Sequence, residues 1–135
     1  MNLFVVDMKD QPGEFARLAD VIARKGINIE SVTGLASRGG GTVAVLTNDG
    51  AATRSALSEA GYQAREVEIA VASLEHKPGT LAAAARQLAD AGINVIAALP
   101  VGMADGKVGV AFATDQPARA REILGSGSNV GVGIG

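Results

Sequence analysis

The chain has 135 residues, 47% of them hydrophobic and 19% charged, with a formal net charge of −2. That balance belongs to a folded chain of one ordinary domain or two very small ones, not to a disordered one. Twelve basic against fourteen acidic residues leave no cationic surplus for nucleic acid or for a basic membrane-surface patch. The absence of cysteine excludes disulfides, thiolate nucleophiles and cysteine-bound metals, and a single histidine, His76, excludes a multi-histidine metal site within one chain. No apolar run approaches the roughly 18 residues of a membrane span. The start, Met-Asn-Leu-Phe-Val-Val-Asp, has neither the basic opening nor the long apolar core of a signal peptide. A cytoplasmic protein is expected.

In chain order, Leu3 to Met8 reads as a strand. Pro12 suits the first turn of a helix, and Phe15, Leu18, Ala19, Ile22 and Ala23 form its apolar stripe. Gly26 stops it as a left-handed cap. Ile27 to Leu35 is a second strand, and Arg38-Gly39-Gly40-Gly41 turns into a third, Thr42 to Leu46. Asp49 caps a shorter helix ending near Gly61, and Tyr62 to Val67 is a fourth strand. The order is β-α-β-β-α-β, the split ferredoxin-like arrangement.

The second half repeats the first. A displacement of 66 residues carries Asp10-Gln11-Pro12-Gly13 onto His76-Lys77-Pro78-Gly79, and Gly26-Ile27-Asn28-Ile29 onto Gly92-Ile93-Asn94-Val95. Without a gap it also carries Asp49 onto Asp115, Leu57 onto Ile123 and Gly61 onto Gly127. The fold class expected is therefore α+β, with two tandem ferredoxin-like βαββαβ domains, residues 1–67 and 68–135, each built on an antiparallel sheet. In the second copy Leu81, Ala84, Ala85, Leu88 and Ala89 form the helix stripe, Gly92 the stop, and Pro117 opens the second helix. Its last strand is weak. Val130, Val132 and Ile134 alternate with glycines, as a short edge strand or a frayed tail would.

Leu3-Phe4-Val5-Val6, Ile69-Ala70-Val71-Ala72 and Val95-Ile96-Ala97-Ala98-Leu99 are apolar at successive positions, so both faces of the sheet are expected to be covered. A half of this size has too little core to stand alone. Pairing of halves within the chain, across a homodimer, or both, follows.

Little here is catalytic. Asp10 and Glu14 can pair as carboxylates but equally serve as capping groups, and Gly39-Gly40-Gly41 lacks the Lys and Ser or Thr of a phosphate loop. A small enzyme built on Asp10, Glu14 and His76 is the weakest reading. The repeated Pro-Gly corner is the candidate site. Its helix-start amides suit a ligand carboxylate, the missing side chains of Gly13 and Gly79 allow close approach, and Asp10 or Glu14 suits an ammonium group. The same corner also reads simply as a helix start. Asn28 and Asn94 offer amides to a ligand or to the backbone at the strand entry. His76 serves as a ligand reader or as a solvated loop residue.

These residues resemble the ACT domain family. Its pattern is a strand, a polar-x-Pro-Gly corner and a helix ending in Gly-Ile-Asn-Ile, which Asp10 to Leu18 with Gly26 to Ile29, and His76 to Leu81 with Gly92 to Val95, both follow. The resemblance implies a regulatory module, not an enzyme, that binds a small amino acid at the interface between ACT domains, needs no cofactor, and modulates a partner enzyme of amino-acid metabolism. Carried onto this sequence, Asp10, Gln11, Pro12, Gly13 and Glu14 line one site with Asn28 and Ile29 opposite; Glu75, His76, Lys77, Pro78, Gly79 and Thr80 line another with Asn94 and Val95. The chain departs from some amino-acid-binding members, which have an Asn two residues and a His four residues before the Pro. Asp10 and Met8, and His76 and Leu74, stand there. Arg24 to Val32 is also similar to the small subunit of acetohydroxyacid synthase, which implies the alternative of a ligand-free regulatory subunit.

Overall fold

The computed structural model describes residues 1–125. The elements are β1 (Asn2–Lys9), α1 (Glu14–Ala23), β2 (Ile29–Ser37), β3 (Gly40–Thr47), α2 (Gly50–Glu59), β4 (Ala64–Glu75), α3 (Thr80–Asp90), β5 (Val95–Ala104), β6 (Lys107–Thr114) and α4 (Pro117–Leu124). The α+β, ferredoxin-like reading of both halves is borne out. The chain divides into two compact units, Met1–Val67 and one beginning at Glu68. The strand expected at Val130, Val132 and Ile134 lies outside the described residues.

In the first unit β3 lies between β2 and β1, antiparallel to both. In the second, β6 lies between β5 and β4 in the same way. Two strands were expected around the boundary, Tyr62 to Val67 and Ile69 onward. One strand, β4, runs through instead. Between Ala64 and Glu75 there is no Gly, Pro, Asn or Asp to turn the chain, so extended backbone continues.

The first core sets Leu18 and Ile22 of α1, with Ala56 and Leu57 of α2, on Phe4, Val6, Val43 and Val45. The second sets Ala84, Leu88, Ala120 and Leu124 on Ala70, Ala72, Val110 and Phe112. Phe4 pairs with Val45 across the strands, and Ala70 pairs with Phe112. The large ring has changed strand, and the second pair is smaller by the two carbons that separate valine from alanine. The face away from the helices is also buried: Leu3, Ala44 and Leu46 in one unit, Ile69, Leu99, Ala111 and Ala113 in the other. Ile96, expected inside, is 40% exposed.

The gapless 66-residue repeat holds only as far as Pro100. Gly34 faces Val43 and Leu35 faces Thr42 without interruption, whereas Pro100 faces Val110 and the next pair is Gly102 with Gly109. Val101 is an extra residue, a β-bulge. From there the displacement is 67 residues: Asn48 answers to Asp115, Asp49 to Gln116 and Leu57 to Leu124. The bonding agrees. Asn48 Oδ1 accepts from the Asn28 amide at 3.1 Å, and Asp115 Oδ1 from the Asn94 amide at 2.9 Å. Asp49 caps α2 by accepting from the Ala52 amide at 3.0 Å, and Asp115, expected at that position, is not the cap of α4; Gln116 is.

Candidate functional site

Each Pro-Gly corner joins the first strand of a unit to its first helix. Pro12 does not sit within the helical turn. The N-cap is Gly13, at φ +90°, and Gly79 caps α3 at φ +91°. A Cβ at either glycine would meet nothing within 4 Å, so the left-handed backbone, rather than space, demands glycine there. Neither helix has a side-chain cap. Apart from the Glu14 amide, which donates to the Gln11 carbonyl at 3.4 Å, no bond from their first-turn amides ahead of Arg17 and Ala83 is seen among the described residues, and these face solvent or another acceptor.

Phe15, expected in the buried stripe, is 52% exposed, and Leu81 at the same place in the second unit is 53% exposed. Both sit in the first helical turn, on the face of Leu18 and Ile22 or of Ala84 and Leu88 but a turn ahead of those buried pairs. In the first unit Phe15 helps to wall a cavity of about 330 Å³ between the corner and the β2–β3 hairpin. Lys9, Asp10, Gln11, Glu14 and Thr42 supply its polar lining; Met8 and Val43 supply apolar wall with Phe15. Gln11 Nε2 donates to Glu14 Oε1 at 3.0 Å, which holds that carboxylate at the rim.

Two glycines leave the space open. A Cβ on Gly34 would come to 3.4 Å from Val43 Cγ2 and 4.0 Å from Phe15 Cε2; one on Gly41 would come to 3.5 Å from the Met8 carbonyl. Sequence reasoning passed over Phe15, Gly34, Leu35, Gly41 and Val43 as site residues. The available signal was glycine inside strands, which marks a close approach to backbone.

The second corner is chemically different. Thr80 Oγ1 donates to the Glu75 carbonyl at 2.7 Å, the Lys77 amide donates to that carbonyl at 2.9 Å, and the His76 amide donates to the Gly106 carbonyl at 2.9 Å. Lys77 Nζ lies 2.8 Å from Glu75 Oε2. Hydrogen bonding from Lys77, aided by its charge, holds the Glu75 carboxyl below the usual carboxylate range, and Glu75 raises Lys77 in turn. Val108 stands where the first unit has Gly41, and it packs with Leu74 against the second core. A cavity of about 410 Å³ does exist in this unit, at the corner but on its β4, α3 and α4 side, where Glu75, Lys77 and Thr80 line it together with Ser73, Leu74, Ala83 and Ile123. The first unit fills the corresponding space: Arg17 lies 4.6 Å over the Tyr62 ring and donates to the Ala60 carbonyl at 3.0 Å, where the second unit has Ala83.

Within a unit the asparagines are not brought to the corner. Asn28 and Ile29 follow the far end of α1, whose ten residues span about 15 Å. Asn94 and Val95 stand likewise beyond α3. The Asn28 and Asn94 backbones are tied to Asn48 and Asp115. Among the described residues there is no cluster of three or more His, Asp or Glu able to hold a metal, and no helix long and apolar enough to cross a membrane.

The ACT domain family model matches residues 2–60, from β1 through α2. No curated protein sequence matches the chain. A protein of Bacteroides thetaiotaomicron, 16% identical, superposes with a TM-score of 0.78 over 93% of this chain and 86% of its own. The ligand-free regulatory subunit of aspartate kinase from Thermus thermophilus, 18% identical, gives 0.65 over 93% and 91%. That from Thermus flavus, 20% identical, gives 0.61 over 97% and 91%. At these identities the likeness is one of fold.

Proposed function

We propose that the chain is a non-catalytic regulatory protein of two tandem ACT domains that binds a small amino acid at a Pro-Gly corner and modulates an enzyme of amino-acid metabolism. The observation that carries this reading is the first-unit cavity. It sets carboxylates and a lysine beside an apolar wall at an uncapped helix start, the groups a zwitterion with a side chain calls for. The ACT match over the first unit supports it, as does the fold shared with regulatory subunits of aspartate kinase. A second copy of the chain covers the corner in a homodimer and offers Asn28 and Ile29 across the junction. Phe15 at 52% and Leu35 at 76% exposure are the apolar surface such a copy buries. Ligand binding then favours one packing of the dimer and alters what the partner enzyme meets.

A thermal-shift screen of the twenty amino acids tests this. A specific ligand binds the folded state alone and raises the melting temperature with concentration. No shift with any of them at millimolar concentration overturns the reading. Such a result, with co-purification of a larger enzyme, favours the alternative of a ligand-free subunit, such as that of acetohydroxyacid synthase.

A further inference from the structure

We infer that the two units are not equivalent: the first-unit cavity alone takes the ligand, one per chain, and that ligand is an α-amino acid with a hydrocarbon side chain. The inference rests on the amino-acid-binding reading above and adds which corner binds and what it selects.

The difference between the units starts at Gly41. Its lack of a side chain leaves open the space beside Met8, and Gly34 does the same beside Val43 and Phe15. After the Val101 bulge is allowed for, Val108 answers to Gly41 and Pro100 to Gly34. The second unit thus places a branched side chain and a pyrrolidine ring where the first has none. The second unit does have a cavity at its corner, lined by Glu75, Lys77 and Thr80, but these polar groups are engaged with the chain itself: Thr80 with the corner carbonyls, Lys77 with Glu75. A ligand there would have to break those contacts, each of which it could at best replace.

The first unit leaves more open: Gln11 engages one Glu14 oxygen only. Asp10 and Glu14 can accept from an ammonium group, and Lys9 can meet a carboxylate. Beside them Met8, Phe15 and Val43 present hydrocarbon, and the one hydroxyl of the lining, that of Thr42, donates to Asp7 Oδ1 at 3.4 Å. A charged or amide side chain would be desolvated there without compensation, whereas an aliphatic or thioether one gains by burial. A cavity of about 330 Å³ has room for such a molecule.

Titration calorimetry on the full chain decides the matter, using leucine, isoleucine, valine and methionine against aspartate, lysine and glutamine. The expected result is binding of a hydrocarbon member at one per chain. Gly41→Val, which copies the second unit into a strand position where valine is favoured, weakens it by about tenfold or more. Glu14→Gln, on the surface and harmless to folding, weakens it too. Lys77→Ala, in the second corner, leaves it unchanged. Two ligands per chain, undiminished binding in both first-unit variants, or loss in Lys77→Ala overturns the one-site inference while amino-acid binding stands. Preference for a charged or amide amino acid overturns the selectivity. Failure of all twenty amino acids to bind the unaltered chain overturns instead the reading beneath it.

Discussion

Gly13 and Gly79 show what one residue decides. At φ near +90° a side chain is strained even where space is free. Gly13→Ala is expected to cost about 1–2 kcal/mol, read from the denaturant midpoint, and Gly79→Ala a similar amount; stability unchanged in both would contradict the described backbone. The importance of these glycines was legible in the sequence, because the Pro-Gly pair recurs in register. The reason was not, since a residue's φ follows from the path of its neighbours. Gly41 was less legible still. It stood in a run of three glycines that reads as a turn, and its consequence appears only when β3 is laid against Met8 of β1. Phe15 misled for a related reason. Helical spacing places it on the apolar stripe, but it lies a turn ahead of the buried Leu18, beside Gly34, whose missing side chain leaves the ring facing the cavity and solvent.

At the scale of elements, capping and ion pairing tie helices to strands. Asp49→Ala removes the bond to the Ala52 amide and is expected to destabilise the protein by about 1 kcal/mol in chemical denaturation. No change would mean the cap is immaterial. Arg54 Nε donates to Glu66 Oε2 at 2.6 Å and Asn2 Nδ2 to Glu66 Oε1 at 3.0 Å, joining α2, β4 and β1. The Arg54 hydrogen bond, then that from Asn2, lowers the Glu66 carboxyl from 4.5 to about 2. A depressed carboxylate contributes stability above its unfolded value. That contribution is therefore complete above pH 4.5 and is lost as the pH falls towards 2. The pair stands partly in solvent, so the effect is small and weakened by salt. Glu66→Gln should flatten the stability profile in that window; an unchanged slope between pH 4.5 and 2 would contradict it. Strands and helices were largely legible from periodicity and caps. The continuity of β4 and the Val101 bulge were not. A bulge leaves no mark in composition, and an alignment without gaps conceals a single inserted residue.

For the whole molecule, the chain's duplication, the α+β class and the ferredoxin-like order could be read from the repeated motifs. The inequality of the two corners could not, because it depends on a register displaced by one residue. The homodimer proposed above would bury apolar side chains left outside at Phe15, Val32 and Leu35. Leu35→Glu should convert it to a monomer in light scattering without lowering helix content by circular dichroism. A dimer unaffected by that change would place the interface elsewhere. The most direct test of the account is a crystal structure of the full chain grown with the amino acid that binds best. The account predicts one ordered ligand per chain, its ammonium group against Asp10 or Glu14 and its side chain between Phe15 and Gly41. An empty first-unit cavity, with the ligand at the second corner or at neither, would contradict it.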